Sequence, residues 1–292
     1  MNSLTLRSPA KLNLFLKIIR RRPDGYHDLV TLFHRISLCD KISLSKKPAG
    51  FSLTADSSFR LPLGETNLIT KAYRALRQRF KRLGGVAVHL EKNIPVGGGL
   101  GGGSSNAASF LFGMKKMWDL KISRQGLVRL GAELGADVPF FLYDTTQALA
   151  EGIGESIKPI PANTRRHFLL LISRRGLSTK QVYQNLAPPA PPPSLTRQRR
   201  IARLLAEVLD EKKLDQAAAL MENDLEESAF RLRPSLLKCI SKLNEFGIRT
   251  ARMSGSGPTV FAILPYPEEA QTIAQKLRRL LPAQKIVVCH SY

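Results

Sequence analysis

Near the start of the chain the positions alternate. Leu12, Leu14, Leu16 and Ile18 are interleaved with Lys11, Asn13, Phe15 and Lys17. A period of two predicts a strand and sets Lys11 and Asn13 on one face. A Pro23-Asp24-Gly25 turn follows. Strand-like runs occupy residues 29–38, 41–44 and 86–90. Over residues 67–83 the period changes, and Leu68, Ala72, Ala75, Leu76 and Phe80 form the apolar stripe of a helix. A second helix is predicted at 124–134, and Pro139 then marks a helix end or a turn. The stretch 148–155 carries the turn-rich E-G-I-G, and a boundary is expected at 159–163. Beyond it the pattern predicts strands at 167–172, 259–264 and 286–289, with helices at 200–209, 214–221, 234–246 and 270–281. The P-P-A-P-P-P run at 188–193 reads as an extended or irregular surface loop. Strands and helices mix without strict alternation, which predicts an α+β fold, and no internal repeat is visible.

One stretch can serve no apolar core. Residues 95–108 read P-V-G-G-G-L-G-G-G-S-S-N-A-A, six glycines around Leu100 and then two serines. Glycine widens the backbone's conformational range and lets a ligand touch the main chain. Ala107, Ala108, Phe110, Leu111, Met114 and Met117 then recur at helical spacing, so the glycines lead into a helix with Ser104 or Ser105 as its cap. Unpaired N–H groups and the helix dipole together make an anion site, most naturally for phosphate. Gly98 and Gly103 have the Walker A interval, but Ser104 stands where that loop needs Lys. Gly97, Gly99 and Gly102 can be forced onto a dinucleotide fingerprint, yet Pro95 interrupts the entry and Asp119 lies past a helix. A flexible linker would not lead into an amphipathic helix.

Composition narrows the class. With 292 residues, 43% of them hydrophobic, the chain can bury a substantial core. Cys39, Cys239 and Cys289 are odd in number and far apart, neither a disulfide framework nor a metal site. The opening M-N-S-L-T-L-R lacks an apolar signal core, and no run approaches the roughly 18 apolar residues of a span. A cytoplasmic chain with no membrane partner is expected. Lys and Arg exceed Asp and Glu by 45 to 23, a net charge of +22. The clusters at 20–22, 197–200 and 276–279 carry no interleaved aromatics for base stacking. They read as a solvated basic surface that attracts anionic substrates, with no specific nucleic-acid partner.

Taken together the motifs resemble the superfamily of galactokinase, homoserine kinase, mevalonate kinase and phosphomevalonate kinase. Its phosphate loop runs Pro, three residues, Gly-Leu, small residues, Ser-Ser-Ala, and Pro95, Gly99, Leu100, Ser104 and Ser105 fit it with two extra glycines. S-P-A-K-L-N-L-F-L at 8–16, D-G-Y-H at 24–27, N-L-I at 67–69, L-G-A-D-V-P at 134–139 and S-G-S-G at 254–257 keep that superfamily's order. They are most similar to its branch acting on a cytidine-diphosphate-linked methylerythritol, and the match thins over 187–232.

The resemblance implies a two-domain small-molecule kinase fold of α+β class with its active site in the cleft between domains. It implies an ATP-binding N-terminal kinase domain at 1–160 and a C-terminal kinase domain at 161–292. The implied reaction moves the γ-phosphoryl of ATP, with Mg²⁺, to the small-molecule substrate's 2-hydroxyl in non-mevalonate isoprenoid biosynthesis. Asp137 is implied as base or orienting group, and Lys11 as the cation stabilising it and the developing charge. On the ATP side stand Asn67, which serves equally as a helix cap, Lys92, Pro95, Val96, Gly97, Gly98, Gly99, Leu100, Gly101, Gly102, Gly103, Ser104, Ser105 and Asn106. On the substrate side stand Asn13, Tyr26, His27, Thr179, Tyr183, Gly255, Ser256 and Gly257. No residue is assigned as a protein metal ligand.

Overall fold

The computed structural model describes residues 2–187 and 191–292, and its mixed strands and helices make an α+β fold. The chain gathers into two compact units, each discontinuous in sequence. The first holds the residues up to Ala10 with Leu38–Val96 and Gly101–Asp144; the second holds Lys11–Ser37, Gly97–Leu100 and Thr145–Tyr292. A single cut at 160 does not describe this division. Strands β1 (Ser3–Arg21) and β2 (His27–Lys47) are long enough for each to give one end to each unit.

In the first unit the end of β2 pairs antiparallel with β4 (Gly85–Lys92), from Lys41 opposite Glu91 to Lys47 opposite Gly85. β3 (Phe51–Ser57) lies parallel to β4. A parallel pair needs a crossover, and α1 (Leu68–Arg79) supplies it. Helices α2 (Gly102–Trp118), α3 (Arg124–Leu134) and α4 (Val138–Leu142) complete the unit. Ile42, Val86, Val88 and Leu90 from the strands share one core with Ile69, Leu76, Phe110, Leu111, Met114 and Leu130 from the helices. Burying each such side chain contributes about 1.5–3 kcal/mol relative to leaving it exposed. Helix α1 stops a turn earlier than its apolar stripe suggests, because Phe80 leaves helical geometry at φ −120°, ψ 85°. Pro139 opens α4 rather than ending a helix; in the first turn its missing N–H costs nothing.

In the second unit the start of β2 pairs with β5 (Gln147–Gly152), which forms a hairpin with β6 (Ser156–Ile160). A separate antiparallel sheet has the order β10–β7–β9–β8, formed by β7 (His167–Ser173), β8 (Arg252–Met253), β9 (Val260–Leu264) and β10 (Gln284–His290). Helices α5 (Thr179–Gln184), α6 (Leu195–Asp210), α7 (Leu214–Leu220), α8 (Glu226–Leu232), α9 (Ser235–Glu245) and α10 (Pro267–Leu280) belong here. Leu169, Leu171, Val260 and Ala262 pack with Leu236, Leu243, Ala270 and Leu277 in this unit's core.

The runs at 29–38 and 41–44 are one strand, not two. β1 buries both of its faces over residues 8–16, so Lys11 and Asn13 lie inside at 4% and 3% exposure. Of the proline run, Pro188, Pro189 and Ala190 lie outside the described residues, and 191–193 are irregular. Among the described residues no helix is long and apolar enough to cross a membrane.

Candidate active site

The glycine stretch follows β4 and enters α2. Its backbone turns left-handed at every second residue, with φ +66° at Gly97, +75° at Gly99 and +66° at Gly101. Such alternation makes backbone concavities that suit anions. Gly101 itself is the N-cap of α2, and no side chain caps that end. Ser104 and Ser105 therefore lie inside the helix, not at its cap as the sequence suggested. Glycine caps because the position is left-handed, where any Cβ is penalised. Ser104 is half-buried, whereas Ser105 Oγ is sealed from solvent without a hydrogen-bond partner.

Residues 97–100 are held by two backbone donors and one side-chain donor of the second unit. Thr259 N–H donates to Gly98 O at 3.3 Å, Ser254 Oγ donates to Gly99 O at 3.0 Å, and Lys11 N–H donates to Leu100 O at 3.0 Å. The approach is so close that a Cβ on Gly99 would stand 2.2 Å from Ser254 O. The glycine loop and the S-G-S-G motif, far apart in sequence, thus meet main chain to main chain.

Lys11 lies beside that junction. Its Nζ donates to Asn13 Oδ1 at 2.6 Å and stands 4.9 Å from the centre of the Phe33 ring. Asn13 Nδ2 donates to Thr31 Oγ1 at 2.8 Å, and the Thr31 hydroxyl in turn donates to Phe15 O at 2.6 Å. Asn13 N–H donates to Ser254 Oγ at 3.3 Å. A Cβ on Gly255 would meet Asn13 Oδ1 at 3.0 Å and Lys11 Nζ at 3.5 Å, so only glycine lets the motif sit this near the cation.

Two residues behind the motif escaped the sequence reading. Asn223 Nδ2 donates to Met253 O at 2.7 Å and Gly255 O at 2.8 Å. Glu226 Oε1 accepts from Met253 N–H at 2.6 Å; burial pushes its carboxyl pKa up, against the pull of that N–H and of Arg252. They stand in the region where the motif match is thinnest, and only an acidic E-N-D-L-E cluster marked them.

The remaining residues of the second unit form two contacts. The His27 and Tyr183 rings lie 5.2 Å apart, and Thr179 Oγ1 is 2.8 Å from Ser256 Oγ. Tyr26 and His27, adjacent in sequence, differ in setting: Tyr26 is 61% exposed and His27 9%. Burial, and then Arg21, lower the His27 pKa, so its ring is neutral at pH 7.

In the first unit Asn67 does cap α1. Its Oδ1 accepts from Ile69 N–H at 2.9 Å while its Nδ2 donates to Pro62 O at 2.8 Å, so both ends of the amide are engaged. Asp137 precedes α4 half-buried and makes no capping bond to that helix. Lys92 faces inward, its Nζ 2.5 Å from Asp40 Oδ2. Burial lowers the Lys92 pKa and Asp40 pushes it back up. Asn106 Nδ2 also donates to Asp40, at 2.9 Å. Asp40 was not anticipated from sequence at all.

The family profile described as GHMP kinases N terminal domain matches residues 67–145, and that of GHMP kinases C terminal matches residues 205–283. A 4-diphosphocytidyl-2-C-methyl-D-erythritol kinase of Pelobacter propionicus is 38% identical over 277 residues, covering 95% of each chain. One of Geobacter metallireducens is 39% identical over 281 residues, again covering 95% of each. A crystal structure of 4-(cytidine 5'-diphospho)-2C-methyl-D-erythritol kinase superposes with a TM-score of 0.79 at 32% identity, covering 99% of this chain and 100% of that one. A homoserine kinase of Cytophaga hutchinsonii, at 19% identity and a TM-score of 0.74 over 100% of this chain and 95% of its own, shares the fold. The chain belongs to the GHMP kinases, in the family of its 4-diphosphocytidyl-2-C-methyl-D-erythritol kinase relatives.

Proposed function

We propose that this chain transfers the γ-phosphoryl of ATP to the 2-hydroxyl of 4-diphosphocytidyl-2-C-methyl-D-erythritol, a step of non-mevalonate isoprenoid synthesis. The observation that carries it is the glycine loop. Its backbone alternates in hand, opens an uncapped helix and is fastened to the motif beside Lys11. The relatives' names supply the substrate.

Phosphoryl transfer asks for positioning and charge neutralisation more than for covalent chemistry. Loop N–H groups, aided by the α2 dipole, hold the phosphates. Ser104, the more accessible of the two serines, offers its hydroxyl. Lys11 steadies the negative charge that develops at the acceptor oxygen. Asp137 orients the acceptor hydroxyl or takes its proton late in a loose transition state. Tyr26 gives an open aromatic face to the cytosine, and neutral His27 beside Tyr183 reads the base edge.

No group of three or more His, Cys, Asp or Glu gathers as a metal site among the described residues. Mg²⁺ arriving on ATP takes only one or two protein oxygens, and the Ser104 hydroxyl is an oxygen donor of the right kind. Held there, such an ion would supply neutralisation of the charge on the transferring phosphates.

A panel of acceptors with ATP tests the proposal: the cytidine-diphosphate compound, homoserine and mevalonate. Phosphorylated product is expected from the first alone. Preferential turnover of either other alcohol would replace this reading with a related small-alcohol kinase.

A further inference from the structure

We propose that Asp40 is a positioning residue that fastens the entry and the exit of the glycine loop to one point, so that ATP meets a loop already in its binding shape. The proposal rests on the reading of residues 95–105 as the phosphate loop.

Asp40 lies within β2 at 0% exposure. A carboxylate offers about four acceptor positions, and four donors reach this one. Oδ1 accepts from Asn93 N–H and Ile94 N–H, both at 2.7 Å; Oδ2 accepts from Lys92 Nζ at 2.5 Å and Asn106 Nδ2 at 2.9 Å. Asn93 and Ile94 immediately precede Pro95, and Asn106 immediately follows Ser105. The two flanks of the loop are therefore drawn to a single side chain.

Lys92 makes that side chain's charge necessary. Its ammonium also donates to Ile94 O at 2.6 Å and would stand 3.0 Å from a Cβ on Gly102, under the first turn of α2. A cation at that end of a helix opposes the dipole, and a buried ammonium without an anion is costly. Asp40 meets both demands. Each of its four donors lies in the loop's flanks or on the strand that feeds it. An ion pair serving only the fold would have no reason to spend every hydrogen bond there.

Asp40→Asn keeps the shape but removes the charge and turns an N–H₂ group toward the Lys92 and Asn106 donors. The Michaelis constant for ATP is expected to rise about ten-fold or more, since only a fraction of the molecules then holds the binding-competent loop. The constant for the cytidine-diphosphate substrate is expected to stay within about two-fold, because the loop's support in the second unit is intact. A lowered melting temperature with an unchanged constant for ATP would overturn the proposal, leaving a pair that supports the fold alone. Should Asp40→Asn not fold, Asn106→Ala removes one donor and leaves the charge pair. It is expected to raise the constant for ATP about three- to ten-fold, the range of one hydrogen bond, and no change would again overturn the proposal. Gly101→Val, measured alongside, separates the two readings. If it keeps full affinity for ATP, the loop is not the phosphate cradle. If it loses ATP while the Asp40 and Asn106 variants do not, only the role of Asp40 fails.

Discussion

Two buried cations, Lys92 in the first unit and Arg166 in the second, face the same physical problem. Burial lowers the pKa of each, and an aspartate, Asp40 or Asp210, pushes it back up. Their surroundings differ. Arg166 Nη1 donates to Gln147 Oε1 at 2.5 Å and to His34 Nδ1 at 3.1 Å, and Nη2 donates to Asp210 Oδ1 at 2.7 Å. With Nδ1 accepting, His34 carries its proton on Nε2 and donates to Ser291 Oγ, 2.9 Å away. That same Oγ accepts from Arg166 N–H at 3.0 Å. This second cluster joins β2, β5, α6 and the last residues of the chain, and none of its members was expected at the ligand. The Lys92 cluster holds the flanks of the glycine loop. A buried ion pair is not a functional mark by itself; what its remaining hydrogen bonds hold decides the matter.

The widest separation comes from breaking the second cluster as Asp40→Asn breaks the first. Asp210→Ala leaves the Arg166 guanidinium buried without its anion. It is expected to destabilise the protein toward the lower end of the about 3–5 kcal/mol typical of a broken buried pair, because Asp210 keeps 17% exposure. Both Michaelis constants should hold, as denaturant unfolding and steady-state rates would show. A large rise in the constant for ATP would erase the contrast.

Two histidines repeat the contrast on a smaller scale. His34 is wholly buried, its pKa held well below 6.5 by burial and then by Arg166. His27 lies beside Tyr183. Tyr26→Ala is expected to raise the Michaelis constant for the cytidine substrate by an amount equivalent to about 1–3 kcal/mol of lost stacking. His27→Ala should in addition relax the preference for cytidine over uridine analogues. If neither variant changes the constant or the preference, the base is held elsewhere.

The smallest expected effect is in pH. Both histidines have lowered pKa values, so each is neutral at pH 7 and takes a proton only on the acid side. For His34 the unfolded chain protonates first, near 6.5, so stability falls as pH drops below that value and is unaffected above it. For His27 the constant for the cytidine substrate should rise over the same direction of change. His27→Ala should abolish the acid limb of that constant and leave the acid loss of stability in place. An acid limb surviving in His27→Ala would assign it to another group.

How far the sequence could be read follows from the same physics. The glycine loop, the strand bearing Lys11 and Asn13, and the helix at 124–134 were legible, because composition or period marks them locally. Asp40 was not: a charge after Cys39 reads as a break between two strands, yet the strand runs through and buries it. β5, with Q-A-L-A-E-G, lacks the branched and aromatic residues that signal a strand, and its hairpin partner supplies what propensity does not. Asn223 acts on the backbone of the S-G-S-G motif, and Glu226 on that of Met253 just before it, from some thirty residues away in sequence, contacts only the tertiary fold creates. The Ser104 or Ser105 cap failed because a left-handed glycine occupied the position first.

We propose that Asp137 acts at the acceptor hydroxyl during phosphoryl transfer. Steady-state turnover of the cytidine-diphosphate substrate by Asp137→Asn, with ATP affinity measured by calorimetry on the same preparation, tests it most directly. Turnover is expected to fall about 10²–10⁴-fold at nearly unchanged ATP affinity, the signature of a lost general base or orienting group. Turnover close to that of the unaltered protein would contradict it.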